Sequence, residues 1–144
     1  MSEDTASAEK KIIPLQEGLF EQGSDGKYHL LASRCNNCRR TFFPKRKYCG
    51  KCGSPDSVEV ITLSDRGKVF SFTQIDRKSM YTIIEPPYME AEVEMPEGVN
   101  IFTVLDKCDP QKVDFGMEVE IYVDKVKQDE QGNDVIAFKF KPVA

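Results

Sequence analysis

Four of the chain's five cysteines fall into two pairs, Cys35-x2-Cys38 and Cys49-x2-Cys52, with ten residues between the pairs. Each C-x2-C brings two soft thiolates within reach of one ion. Two such knuckles supply the four corners of a tetrahedron, the arrangement of closed structural zinc sites. The flanking sequence favours thiolates: from Ser33 to Gly53 there are seven bases (Arg34, Arg39, Arg40, Lys45, Arg46, Lys47 and Lys51) and no acid. Positive neighbours lower a thiol pKa and offset the negative charge that four thiolates leave around a divalent ion. Gly50 and Gly53 suit the tight second knuckle. Disulfides fit poorly, because the opening MSEDTASAEKK has no apolar stretch of the kind a secretory signal needs. A rubredoxin-like iron centre would use the same four ligands and stays open on spacing alone. A four-iron cluster calls for a different cysteine distribution. One structural Zn²⁺ held by Cys35, Cys38, Cys49 and Cys52 is the expected cofactor.

Outside that segment the chemistry is sparse. A nucleophile–base pair needs a thiol or hydroxyl beside a histidine, and the chain offers only His29 and Cys108. Cys108 lies in Asp106-Lys107-Cys108-Asp109-Pro110, where acids raise a thiol pKa. His29 sits in a strand-like pattern and reads as a packing or surface residue. Glu90, Glu92 and Glu94 alternate with apolar residues, which is the pattern of a solvated strand face. No phosphate-cradling glycine loop occurs, and no catalytic residue is assigned. Whether the chain is an enzyme subunit therefore depends on what it binds.

The elements that must hold the cysteines can be read around them. The chain has 144 residues, 40% of them apolar and 31% charged, the composition of a soluble globular protein of one domain or two small ones. No run approaches the ~18 apolar residues of a membrane span, and a cytoplasmic location is expected. The net charge of −4 conceals a division, since removing the seven clustered bases leaves 13 bases against 24 acids. The acidic part is rich in strand signals. Met89-Glu90-Ala91-Glu92-Val93-Glu94-Met95 alternates strictly, as do Val119, Ile121 and Val123, and then Ile136, Phe138 and Phe140. Strands are also predicted over 68–76 and 99–106, with a short run at 58–63 leading in. Turns fall at Asp65-Arg66-Gly67, Pro96-Glu97-Gly98, Asp109-Pro110 and Gln131-Gly132-Asn133.

The expected class is mainly β. A tail over 1–13 precedes a short helix and a rubredoxin-like zinc ribbon over 14–57, followed by a five-stranded OB-fold barrel over 58–144. An SH3-like barrel is the second choice. The helix is predicted over 14–22 from Leu15 and Leu19 at i,i+4, with Gly23 as its stop and Gly18 against it. Residues 28–32 read as a strand entering the first knuckle.

Ribbons and OB-folds both bind nucleic acid elsewhere, and Phe42, Phe43 and Tyr48 lie among bases as stacking platforms do. Glu90, Glu92 and Glu94 oppose that reading, since they occupy the barrel face that usually receives an oligonucleotide and would repel phosphates.

The ordered motifs carry a resemblance. Leu15-Gln16-Glu17-Gly18-Leu19-Phe20 is followed by C-x2-C, Phe43-Pro44-Lys45-Arg46 and C-x2-C-Gly. Then come Asp65-Arg66-Gly67-Lys68-Val69-Phe70-Ser71-Phe72-Thr73, Pro86-Pro87-Tyr88, Cys108-Asp109-Pro110, Phe115-Gly116-Met117-Glu118-Val119 and Phe138-Lys139-Phe140-Lys141-Pro142. This string, covering nearly everything after residue 13, resembles the zinc-ribbon/OB-fold family associated with acyl-CoA metabolism and catalogued as a domain of unknown function. Two positions depart from the family pattern: Arg39 stands where Gly often follows the second cysteine, and Gly50 where Pro often follows the third. The resemblance implies a non-catalytic subunit of a thiolase-type acyl-CoA acyltransferase complex. Such a subunit would stabilise a thiolase-fold partner, which supplies the catalytic residues, and shape its acyl-CoA channel. Arg39, Arg40, Lys45, Arg46 and Lys47 are candidates for attracting coenzyme A phosphates or an acidic partner surface. Tyr81 and Tyr88, in the apolar connection over 77–88, are candidates for docking.

Overall fold

The computed structural model describes residues 11–53, 57–80 and 84–143. The expected barrel is present. Its strands are β6 (Arg66–Ile75), β7 (Tyr88–Glu94), β8 (Asn100–Leu105), β9 (Glu118–Gln128) and β10 (Asp134–Pro142). The long β6 pairs antiparallel with β7, and β7 with β8. β8 meets β10 in parallel at Leu105 and Phe140, β10 runs antiparallel to β9, and β9 returns to β6 over Arg66–Lys68. The circuit β6-β7-β8-β10-β9-β6 is that of the OB-fold and not of the SH3-like alternative.

Alternation decides which residues enter the barrel. Met89, Ala91 and Val93 are buried while Glu90 and Glu94 are exposed, as the period of two dictates. Ile101 and Leu105 from β8, Val119 from β9 and Phe140 from β10 fill the same interior. β6 closes the barrel by bending. A bulge separates Val69 from Ser71, and at Gly67 any side chain would collide: a Cβ there would lie 2.6 Å from Val93 Cγ1 and 2.8 Å from the Glu94 carbonyl oxygen.

The second sheet is built on β3 (Tyr28–Cys35), flanked by β2 (Phe20–Gln22), β4 (Thr41–Phe42) and β5 (Val58–Thr62), all antiparallel to it. The run at 58–63 is a strand, and it pairs with β3, because alternation identifies a strand without naming its partner. Two expectations are corrected here. The predicted helix over 14–22 is absent. Pro14 ends β1 (Ile12–Pro14), Gly18 turns at φ +85°, and Phe20 opens β2. The neighbouring strands use the backbone a helix would need: Leu15 N–H donates to Ile136 O at 2.7 Å, and Leu31 N–H donates to Leu19 O at 2.8 Å. Of the expected tail, residues 1–10 lie outside the described residues, whereas Ile12–Pro14 form β1, pairing in parallel with β10.

The two sheets share one core. Leu30 and Ala32 of β3, with Leu63 just beyond β5, are packed in the same buried cluster as Val93, Ile101, Val119 and Phe140. Phe138 fastens the outside of this seam. Its ring meets Phe20, Phe43 and Phe140 edge-on, with centroids 6.4, 6.0 and 6.4 Å away, contacts worth ~0.5–1.5 kcal/mol each beyond area burial.

Candidate metal centre

The last residue of β3, Cys35, begins the ribbon site. Chain reversal after it is a tight turn in which Arg39 N–H donates to Cys35 O at 2.6 Å and Cys35 N–H donates to Arg40 O at 2.9 Å. The second knuckle repeats the pattern, with Gly53 N–H donating to Cys49 O at 3.0 Å. Both turns place the residue after the second cysteine in the left-handed region, Arg39 at φ +65° and Gly53 at φ +73°. Gly53 adopts this freely, whereas Arg39 does so against its Cβ. Gly50 has a different role, since a Cβ there would lie 2.8 Å from an Arg46 guanidinium nitrogen.

The sulfur atoms of Cys35, Cys38, Cys49 and Cys52 all lie within 4.8 Å of one another. Backbone donors point at them: Cys38 N–H at Cys35 Sγ (3.5 Å), and Lys51 and Cys52 N–H at Cys49 Sγ (3.3 Å each). N–H groups aimed at sulfur favour the thiolate. The Cys38 N–H, followed by the Ser57 hydroxyl, brings Cys35 down to about 6. Cys49 is likewise lowered by the Cys52 N–H. Cys38 goes the other way, to about 11: the Arg40 N–H pulls it down, but the Cys49 sulfur 3.4 Å away, burial and the Cys35 and Cys52 sulfurs together outweigh that pull. Four sulfurs this close cannot all ionise by themselves, and a cation among them removes the conflict. The donor set, its closure on all four sides and its N–H support fit one zinc ion. Bound there, zinc would tie β3 to the loop over 39–53 and supply folding energy, not an open catalytic position.

The ribbon loop is clamped independently of metal. Ser33, fully buried in β3, accepts from Arg46 N–H at 2.6 Å and donates through its hydroxyl to Arg46 O at 3.0 Å. The basic candidates are all exposed but do not converge. Arg39 lines a cleft of about 490 Å³ with Arg34, Asn36, Thr41 and Glu97. Arg46 lies over the Phe42 ring, 5.4 Å from its centroid. Lys45 approaches Gly18 on the barrel side. Arg40 contributes its carbonyl to the first knuckle, Lys47 stands in solvent, and Tyr81 falls outside the described residues. Tyr88 lines a separate concavity of about 420 Å³ on the barrel. Arg34, counted among the bases but not among the candidates, lines the same cleft as Arg39; the signal was its charge in an otherwise uncharged stretch, and it is the one exposed residue among Leu30–Cys35.

The remaining titratable candidates are held structurally. His29 Nδ1 pairs with Asp65 at 2.7 Å and Nε2 with Asp25 at 3.2 Å; the Asp65 hydrogen bond raises its pKa against a smaller effect of burial. The Cys108 thiol donates to Leu105 O at 3.5 Å, and burial together with Asp106 and Asp109 raises its pKa as its sequence implied. Lys139, almost buried, lies 3.4 Å from both Asp106 and Asp124.

With this geometry in place, the likeness to known proteins is specific. Residues 26–58 match the ChsH2 rubredoxin-like zinc ribbon domain and residues 60–124 the ChsH2 C-terminal OB-fold domain. A DUF35 domain-containing scaffold protein of Methanocaldococcus jannaschii is 34% identical over 81% of this chain and 84% of its own length. The benzoylsuccinyl-CoA thiolase subunit BbsA of Thauera aromatica is 33% identical over 87% of this chain and 85% of its own. Among solved structures, the Ltp2-ChsH2(DUF35) aldolase superposes with a TM-score of 0.64 at 27% identity, covering 81% of this chain and 86% of that one. The chain belongs to the DUF35 family of zinc-ribbon/OB-fold proteins of ChsH2 type.

Proposed function

We propose that this chain is a non-catalytic, zinc-binding subunit of a thiolase-type acyl-CoA acyltransferase complex, working in the cytoplasm. It stabilises a thiolase-fold catalytic subunit and walls part of its acyl-CoA channel. The observation that carries this reading is the 33% identity to a benzoylsuccinyl-CoA thiolase subunit along nearly the whole of both chains, with the four-cysteine site intact. The residues agree with it. The four thiols form a closed structural set, and both nitrogens of His29 are engaged by carboxylates. The coenzyme A phosphates are the natural counterions of the exposed bases. Arg39 and Arg34 line one cleft, whose wall also carries Glu97, while Arg40, Lys45, Arg46 and Lys47 widen the positive field.

The nucleic-acid reading loses one of its supports, because Phe43 is spent inside the seam against Phe138 and is not free to stack on a base.

The test is purification of the tagged chain from its native host. A thiolase-fold subunit, identified by mass spectrometry, is expected in stoichiometric amount, together with one zinc per chain by metal analysis. A lone monomer that binds single-stranded DNA with a steep salt dependence would overturn the proposal.

A further inference from the structure

Three adjoining concavities cover one side of the barrel. The first, of about 420 Å³, is walled by Leu15, Tyr88, Val104 and Phe138, with Glu90 and Lys139 also lining it. The second, of about 330 Å³, lies at the seam between Leu15, Leu19, Phe43, Pro44, Phe102 and Phe138. The third, of about 270 Å³, is bounded by Phe102, Thr73, Glu90 and Glu92. Leu15 and Phe138 belong to the first two, Phe102 to the second and third, and Glu90 to the third and first, so the three form one continuous face.

The middle of this face is apolar and open to water: Phe102 is 77% and Leu15 43% exposed. Its edges carry opposite charge. On the ribbon side stands Lys45, one residue beyond Pro44 and against Gly18. On the other side Glu92 sits directly across the ladder from Phe102, with Glu90 and Glu94 before and after it. Ser71 and Asn100 hold Glu92 by hydrogen bonds of 3.3 and 2.7 Å, which fixes the carboxylate beside the phenylalanine. Exposed apolar surface rimmed by oriented charge is the signature of an interaction site.

We propose that this face docks the catalytic subunit of the complex described above, and the proposal rests on that reading. The partner segment is convex and presents bulky apolar side chains to the hollows. It carries Lys or Arg opposite Glu90 and Glu92 and an acid opposite Lys45. A second copy of this chain fits less well, because it would set hollows against hollows and offer one Lys45 to a row of three glutamates.

The experiment measures binding of the host's co-purifying thiolase-fold subunit to the zinc-loaded chain by biolayer interferometry. Phe102→Glu is expected to weaken binding at least about tenfold, and Glu90→Lys about threefold. Val60→Glu serves as the control, because Val60 is 56% exposed and lines none of the three concavities. It should bind as wild type does. Zinc content and circular dichroism of all three variants should match the parent, since each side chain replaced is solvent-exposed. Wild-type affinity in Phe102→Glu, or equal loss in Val60→Glu, would overturn the proposal and leave the subunit reading intact. A wild-type homodimer in light scattering that Phe102→Glu dissolves would reassign the face to self-association. If the wild-type chain binds no thiolase-fold subunit of its host, the subunit reading fails and the docking proposal fails with it.

Discussion

The ribbon loop and the barrel are stabilised by different physics. Between Cys35 and Gly53 the only buried side chain besides Cys35 itself is Cys49, whereas the barrel encloses a cluster running from Val69 to Phe140. One region depends on an ion and hydrogen bonds, the other on area removed from water. A small segment can thus be ordered without a core of its own, provided a strand connects it to a core elsewhere.

The largest expected effect tests that division. Cys49→Ser, or a strong chelator, should reduce zinc from one per chain to none and forfeit much of the ~10–16 kcal/mol of apparent binding energy typical of structural zinc. Hydrogen exchange should then show protection lost over 36–53 while β6–β10 keep theirs; uniform loss would make ribbon and barrel one cooperative unit. Phe138→Ala removes the ring on which both regions lean and should cost ~3 kcal/mol, lowering the thermal midpoint of both together. Gly67→Ala should destabilise the barrel by ~1–3 kcal/mol, through the collision with Val93 and the Glu94 carbonyl, without changing zinc affinity. Arg39→Gly relaxes the left-handed turn of the first knuckle and should raise stability by about 0.5 kcal/mol, whereas Gly53→Ala should lower it by about 1 kcal/mol.

The smallest effect is electrostatic. Because the folded pKa of His29 is raised above its ordinary value near 6.5, its contribution is complete below that value and is lost as pH rises through the folded pKa. Denaturant titrations of the parent should show stability falling as pH rises above about 6.5, and His29→Gln should flatten that fall.

What the sequence made legible was local. The metal site lies in 18 consecutive residues whose types and spacing already state their chemistry. The strand at Met89 declares its buried face by strict alternation, and the number and lengths of the later strands pointed to an OB-fold ahead of an SH3-like barrel. What stayed hidden was pairing at a distance. Leu15 and Leu19 do stand on one side, as helical spacing suggested, but a turn wrapped over the seam puts them there. Val58–Thr62 reads correctly as a strand while its partner, β3, lies more than twenty residues earlier. Phe43 reads as a nucleic-acid platform among its basic neighbours until the ring of Phe138, far along the chain, is found against it.

β3 gives the molecule a mechanical property. Leu30 and Ala32 are seated in the shared core, and the same uninterrupted strand ends at Cys35 in the metal site. At ~3.3 Å per residue Cys35 stands about 10 Å beyond Ala32 and about 17 Å beyond Leu30, joined by extended backbone with almost no give along its axis. The strand acts as a connecting rod. With the metal site formed, displacing the cysteine end pulls on Leu30 and Ala32 in the interior of the barrel, so one strand carries load between the two.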